Sequence, residues 1–252
     1  HLRTRRQRQM CIRDRAETST KVFILEVMGR HAGWIAAASC LAATKPGDPP
    51  HIILLPEVPF EKNKFIAQVK QTIKKQGYCV IVASEGTQTK NGKFLADSGL
   101  RDAFGHKQLG GVAPVLAGMI SRIGLKNHWA VADYLQRSAR HIASQTDLDQ
   151  AYAVGEHAVK LAIAGKTALM PIIKRTNDSP YKWKIATAPL KNVANIEKTM
   201  PKKFISKSGF EITQAGKTYL SPLIKGEAPI KYVNGLPDVA ELKKIKVKKK
   251  LN

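Results

Sequence analysis

The chain of 252 residues has three cysteines, Cys11, Cys40 and Cys79, and no CxxC spacing. That excludes a disulfide scaffold and a cysteine-held metal. Cys40 and Cys79 lie inside apolar segments and read as small buried hydrophobes of a reducing, cytoplasmic compartment. No stretch approaches the ~18 apolar residues that a spanning helix needs. The best candidate, Trp34 to Ala43, is short, alanine-rich and better read as a packed helix, so no membrane partner is expected. Acids are scarce: 19 Asp and Glu stand against 42 Lys and Arg, for a formal net charge of +23.

Such an excess invites a nucleic-acid reading, but its placement argues against one. Residues 1–15 hold six arginines and one aspartate, and residues 241–252 hold six lysines and one glutamate. The rest is spread over the body, where it suits an enzyme that collects polyanionic substrates. There is no zinc-finger spacing and no aromatic–basic RNA-recognition signature, so no nucleic-acid partner is expected.

Four regions follow from composition and pattern. Residues 1–17 are Arg-rich and superficially resemble a transit peptide. The stretch Gln7 to Arg15 also resembles translated sequencing-adapter DNA, and the segment is set apart as non-native or disordered. Residues 18–188 carry the α/β pattern, 189–240 form a C-terminal extension, and 241–252 a Lys-rich tail. Within the α/β region, Lys21–Val27, His51–Leu55 and Tyr78–Ala83 read as buried strands. Ala32–Ala43 reads as a helix. Glu61–Gln76 is an amphipathic helix, with Phe65, Val69 and Ile73 every four residues and Ile66 on the same face. Residues 86–109 read as loop, Val112–Ile123 as an apolar helix and Trp129–Tyr134 as a strand. Asp147–Ala164 is a long helix with Thr146 or Asp147 as cap and Gly165 at its end. Ala168–Lys174 and Tyr181–Ala186 pair antiparallel across Asn177-Asp178-Ser179-Pro180. This order predicts an α/β fold, a mostly parallel sheet flanked by helices. From about Leu190 the pattern degrades into a partly irregular extension.

The run Glu26-Val27-Met28-Gly29-Arg30 ends the first strand and leads into the first helix. Gly29 has no Cβ, so a ligand can approach the backbone. Arg30 stands at a strand's C-terminal end beside a helix start, where anions are favoured and where open α/β sheets bind ligands. Glu85 ends another apolar strand and can accept hydrogen bonds from a ligand's hydroxyls. Tyr134 and Arg137, three apart, can both reach one phosphate, which the arginine fork suits.

The letters themselves go further. Glu-Val-Met-Gly-Arg, Pro56-Glu57-Val58, Ala83-Ser84-Glu85-Gly86, Tyr134-Leu135-Gln136-Arg137 and Ser138-Ala139-Arg140-His141, in this order, resemble the sugar-phosphate half of phosphofructokinases, in the pyrophosphate-dependent branch. The resemblance covers Thr18 to Lys174 well and the remainder more loosely. It implies a phosphofructokinase-like fold and a cytoplasmic enzyme of glycolysis. That enzyme phosphorylates fructose 6-phosphate at C1 with pyrophosphate and magnesium, and is expected to be a homo-oligomer. Met28, Gly29 and Arg30 would contact the sugar phosphate and the moving phosphoryl group, with Arg30 the catalytic member. Glu85, Tyr134 and Arg137 would hold the acceptor.

Lys21 occupies a position where ATP-dependent relatives have an arginine reaching a neighbouring subunit's sugar phosphate. Lys126 or His128 lies near the place of a second such arginine. Arg140 and His141 belong to a branch-specific motif, while His31 and His106 read as structural or surface residues. The family's Gly-Gly-Asp donor loop and Thr-Ile-Asp motif are absent from this sequence. The latter's aspartate takes the C1 proton, and both motifs help hold magnesium. The resemblance places them in a half preceding Thr18, so this chain is expected to be inactive alone. Two other readings stay open: ATP as donor, or a non-catalytic sugar-phosphate-binding regulatory subunit.

Overall fold

The computed structural model describes residues 16–101, 107–109, 111–240 and 243–246. His106 and most of the two basic tails lie outside these. The centre is a four-stranded parallel sheet in the order β2-β3-β1-β6. Its strands are β1 (Val22–Val27), β2 (Ile52–Leu54), β3 (Cys79–Ser84) and β6 (Asn127–Val131). Strand β1 lies between β3 and β6, with Val27 opposite Ser84 and Glu26 opposite Val131. Because all four strands run the same way, every turn that leaves a strand leaves at one edge.

Alternation along β1 separates the two faces. Val22 and Ile24 join Ile81, Ala83 and Leu54 under helices α2 (Lys62–Gln76) and α3 (Val112–Ser121). Phe65, Val69, Leu116 and Ile120 fill that layer, and all four are fully buried. The expected four-residue spacing is what places Phe65 and Val69 there. On the other face, Val27, Ile53 and Val82 meet Ala36, Ala37 and Cys40, together with Met200, Phe204, Ile212 and Leu220. Residues from the 189–240 stretch therefore close the second face of the sheet.

Several elements differ from the sequence expectation. The helix read over Ala32–Ala43 is an α-helix only over Trp34–Ala38 (α1), followed by a 3-10 turn, Ser39–Ala42. The Ser39 hydroxyl donates to the Ala36 carbonyl, a local bond that competes with the regular ladder. The loop read over 86–109 contains a short antiparallel pair, β4 (Asp97–Arg101) and β5 (Lys107–Leu109). Strand β6 starts and ends earlier than expected. Asp133, at φ +40°, turns the chain into a 3-10 segment, Asp133–Gln136.

The long helix, α4 (Gln145–Ile163), begins two residues early and is capped by Ser144 rather than Thr146 or Asp147. The Ser144 hydroxyl accepts the Asp147 N–H at 3.1 Å. Strands β7 (Leu169–Asp178) and β8 (Tyr181–Pro189) form the expected hairpin, each running further at its C-terminal end. A last short helix, α5 (Gln214–Leu220), lies in the extension. Ala16, within a turn spanning Ala16–Thr20, is buried against Tyr78 and Val80.

Candidate active site

The turns after β1, β3 and β6 meet at the C-terminal edge of the sheet, and backbone bonds tie them together. The Glu85 N–H donates to the Val27 carbonyl at 2.9 Å, the Gly86 N–H to Gly29 at 3.0 Å, and the Ala132 N–H to Glu26 at 3.1 Å. Side chains add to this. Glu85 Oε1 accepts the Gly29 N–H at 3.1 Å, and the Ser84 hydroxyl donates to the Gly29 carbonyl. Gly29 has φ +147°, a conformation that side-chain-bearing residues rarely adopt. The Met-Gly-Arg and Ser-Glu-Gly segments are thus one interlocked structure.

Met28, Gly29, Arg30 and Glu85 are half-buried there. Among the described residues, the Arg30 guanidinium has no carboxylate partner and Glu85 Oε2 has no hydrogen-bond partner. One unpaired cation and one free carboxylate oxygen, on adjoining turns, can receive a phosphate and a hydroxyl. Tyr134 and Arg137 follow β6 at the same edge. Arg137 lies 5.3 Å from the Tyr134 ring centroid, and Tyr134 is 68% exposed. Both are solvent-facing, so their phenol and guanidinium are open to a ligand.

The helix-start argument for an anion beside Arg30 changes with the structure. The first turn of α1 already has its anion: Glu57 accepts the Gly33 N–H with Oε1 at 3.0 Å and Oε2 at 3.2 Å. The same Oε1 accepts the Met200 N–H at 2.9 Å. The Pro-Glu-Val segment carried a resemblance, but nothing in its spacing assigned Glu57 this contact. Glu26, 2% exposed, does the equivalent for α3, accepting the N–H groups of Gly111 at 3.0 Å and Ala113 at 2.8 Å. A carboxylate inside an apolar strand is the sequence signal for such a role, because a buried charge needs partners.

Lys21 does not join the cluster. It precedes β1, at the opposite edge of the sheet, with φ +62° and its Nζ on the Glu17 carbonyl at 3.1 Å. Lys126 precedes β6 at that same edge, since Val22 pairs with Asn127. His31 pairs with Glu197 and faces Phe94. Arg140 donates to the Ala228 carbonyl at 2.7 Å, a contact that fastens the extension. A polar cavity of about 240 Å³, lined by His51, Gln71, Lys75 and Glu211 among others, lies at the far edge too. Among the described residues, no three of His, Cys, Asp and Glu cluster to hold a metal, and no helix is long and apolar enough to cross a membrane.

This fold, with Met-Gly-Arg and Ser-Glu-Gly joined at one edge of a parallel sheet, is that of an open α/β protein. The phosphofructokinase family model matches residues 4–162, and the chain belongs to that family. The match reaches into the segment set apart as residues 1–17. Among curated relatives, pyrophosphate–fructose 6-phosphate 1-phosphotransferases are similar from Halomonas elongata (61% identity over 93% of this chain) and Methylococcus capsulatus (53% over 98%). This chain spans 56% and 59% of their lengths. A solved pyrophosphate-dependent phosphofructokinase from Marinobacter aquaeolei matches at 53% identity with a TM-score of 0.83, over 98% of this chain and 58% of its own.

Proposed function

We propose that this chain is the sugar-phosphate side of a pyrophosphate-dependent phosphofructokinase, one that transfers a phosphoryl group from pyrophosphate to the C1 hydroxyl of fructose 6-phosphate. The products are fructose 1,6-bisphosphate and phosphate. The joining of the Arg30, Glu85 and Tyr134–Arg137 turns at one edge carries this reading, and relatives of that name at 53–61% identity support it.

In this reading Arg137 and Tyr134 grip the 6-phosphate, and Glu85 Oε2 accepts from sugar hydroxyls. Arg30 offsets the charge that spreads over the phosphoryl oxygens during in-line transfer. Met28 and Gly29 form the wall that the sugar approaches. The general base belongs to the Thr-Ile-Asp motif that this sequence lacks, so the chain alone binds without turnover. The family's magnesium would need carboxylates beyond those grouped here. Lys21 and Lys126, which precede neighbouring strands at the far edge, would serve a neighbouring subunit's site in a homo-oligomer. The buried free thiols Cys40 and Cys79 fit a reducing, cytoplasmic setting for this step of glycolysis.

Calorimetric titration with fructose 6-phosphate tests the proposal. The chain should bind, and Arg137→Ala should abolish the heat. A folded chain that gives no heat, or an Arg137→Ala variant that binds as well as the parent, would sink the assignment.

A further inference from the structure

Three contacts place residues 197–200 across the turn that carries Arg30. His31 Nδ1 meets Glu197, the Trp34 indole donates to the Lys198 carbonyl at 2.7 Å, and the Met200 N–H reaches Glu57 Oε1 at 2.9 Å. Glu57 is the only one of these residues that touches both sides. Its carboxylate accepts from Gly33, which closes the Arg30 turn, and from Met200, which ends the strap.

Local sequence does not supply this anchor. The N-cap of α1 is Gly33, which has no side chain to accept a helix N–H. Helix α1 spans only five residues, so it has little cohesion of its own. The space confirms a tailored fit. A Cβ at residue 33 would stand 2.9 Å from Glu57 Oε2 and 2.7 Å from a Leu55 methyl. The other end of the turn is held by Glu85, Ser84 and Gly86. Glu57 therefore fixes the end that those residues leave loose.

We infer that Glu57 is a positioning residue, which holds the Met28–Gly33 turn in shape and couples it to the 197–200 strap. A carboxylate accepting two backbone N–H groups does this better than a neutral acceptor, since charge-assisted bonds are the stronger kind. The consequence for phosphoryl transfer, through Arg30, rests on the function proposed above. The positioning itself does not, and it is read without turnover.

Hydrogen–deuterium exchange on the full chain, compared with Glu57→Ala and Glu57→Gln, tests it. In Glu57→Ala the amides of residues 28–34 and of 196–200 should both exchange about tenfold faster, while those of α2 stay at parent rates. Glu57→Gln keeps one carbonyl oxygen and should restore part of the protection in both segments. A role in global stability alone would accelerate α2 as well, and that outcome overturns the inference. So does parent-like exchange over residues 28–34. If Glu57→Ala does not fold, Glu57→Gln decides: several-fold acceleration confined to the two segments supports the coupling, and parent rates there defeat it. Fructose 6-phosphate binding by the parent chain is scored separately, so the function and the positioning can fail independently.

Discussion

The backbone N–H of Gly29 donates to Glu85 Oε1 at 3.1 Å, across 56 residues of sequence. One carboxylate oxygen is thereby committed to holding the Arg30 turn, and the other is left for a ligand. Glu85 thus has two separable jobs. Glu85→Gln should keep the turn, because the amide oxygen can accept from Gly29, yet present an NH2 group where a hydroxyl acceptor is needed. The expected outcome is a chain with nearly unchanged thermal stability and fructose 6-phosphate affinity weakened about tenfold or more. Equal affinity for the two chains would show that the free oxygen does not meet the sugar.

Gly86 lies still closer to the Arg30 turn. A Cβ there would sit 1.7 Å from the Arg30 carbonyl oxygen and 2.5 Å from that of Gly29. Both obstacles are backbone atoms, so no rotamer change relieves the overlap. Gly86→Ala should therefore displace the turn, costing about 3 kcal/mol, and lose sugar-phosphate binding along with stability. Urea denaturation beside calorimetry checks both, and a stable, binding-competent alanine variant would contradict this packing.

How far these contacts could be read from sequence depends on their range. Phe65, Val69 and Ile73 announce their helix because a four-residue period is local information. The buried strands at Ile52–Leu54 and Cys79–Ser84 are legible for the same reason. Arg30, Glu85 and Arg137 were legible as motif residues at strand ends. Glu57 and Glu26 stand in those motifs too, and an apolar strand signals that Glu26 needs partners, but their helix-start contacts were not legible, because backbone N–H groups have no letter in the sequence. Met200, Phe204, Ile212 and Leu220 were also hidden. Met200, Phe204 and Ile212 reach the sheet from irregular or 3-10 backbone and Leu220 from the end of a seven-residue helix, so their spacing has no period to detect. The break in the Ala32–Ala43 helix depends on one hydroxyl bond at Ser39, too small a signal against an alanine-rich run.

Glu26 gives the third prediction. Its buried carboxylate accepts the Gly111 and Ala113 N–H groups at the start of α3, where a negative charge also opposes the helix dipole favourably. Glu26→Ala leaves the buried Ala113 donor and the part-buried Gly111 donor without partners and should cost about 3 kcal/mol. Glu26→Gln keeps one acceptor and should lose about half as much. Chemical denaturation of the two variants against the parent measures this. A Glu26→Ala loss under 1 kcal/mol, about the low end for one unsatisfied group, would mean that α3 finds other caps.

The pH dependence at the alkaline end should carry the mark of Cys79. Burial pushes its thiol up to about 12, against a smaller opposing effect of a hydrogen bond with Thr72. Burial also raises the Cys40 thiol, with Lys217 opposing. The folded state thus keeps protons that the unfolded state releases from about 8.5 upward. Stability from Cys79 is complete below that value and falls as pH climbs toward about 12. The decline should approach 1.4 kcal/mol per pH unit at its steepest. Cys79→Ala should flatten it, leaving a smaller fall from Cys40. Parallel slopes for parent and variant between pH 9 and 11, within the window set by the about 8.5 reference value, would rule this out. In the native chain near neutral pH, both thiols should react slowly with thiol reagents.

Arg175 in β7 makes four contacts, two within the hairpin and two to Tyr219 in the extension. Its guanidinium bonds Asp178 Oδ1 at 2.9 Å and the Tyr219 carbonyl at 2.7 Å. It also lies 4.6 Å from the Tyr181 ring centroid and 4.1 Å from that of Tyr219. The side chain is 17% exposed, so both ring contacts are largely shielded from water and stronger for it. Arg175→Ala should cost about 2 kcal/mol. Arg175→Lys keeps the charge but lacks the flat fork that lies between two rings while bonding at both ends, so it should recover less than half of that. Tyr219→Phe keeps the ring and the backbone carbonyl, and should be nearly neutral, whereas Tyr219→Leu should lose about 1 kcal/mol. If Tyr219→Leu is as neutral as Tyr219→Phe, the ring face contributes nothing, and Arg175 holds the hairpin to α5 through the carbonyl hydrogen bond alone.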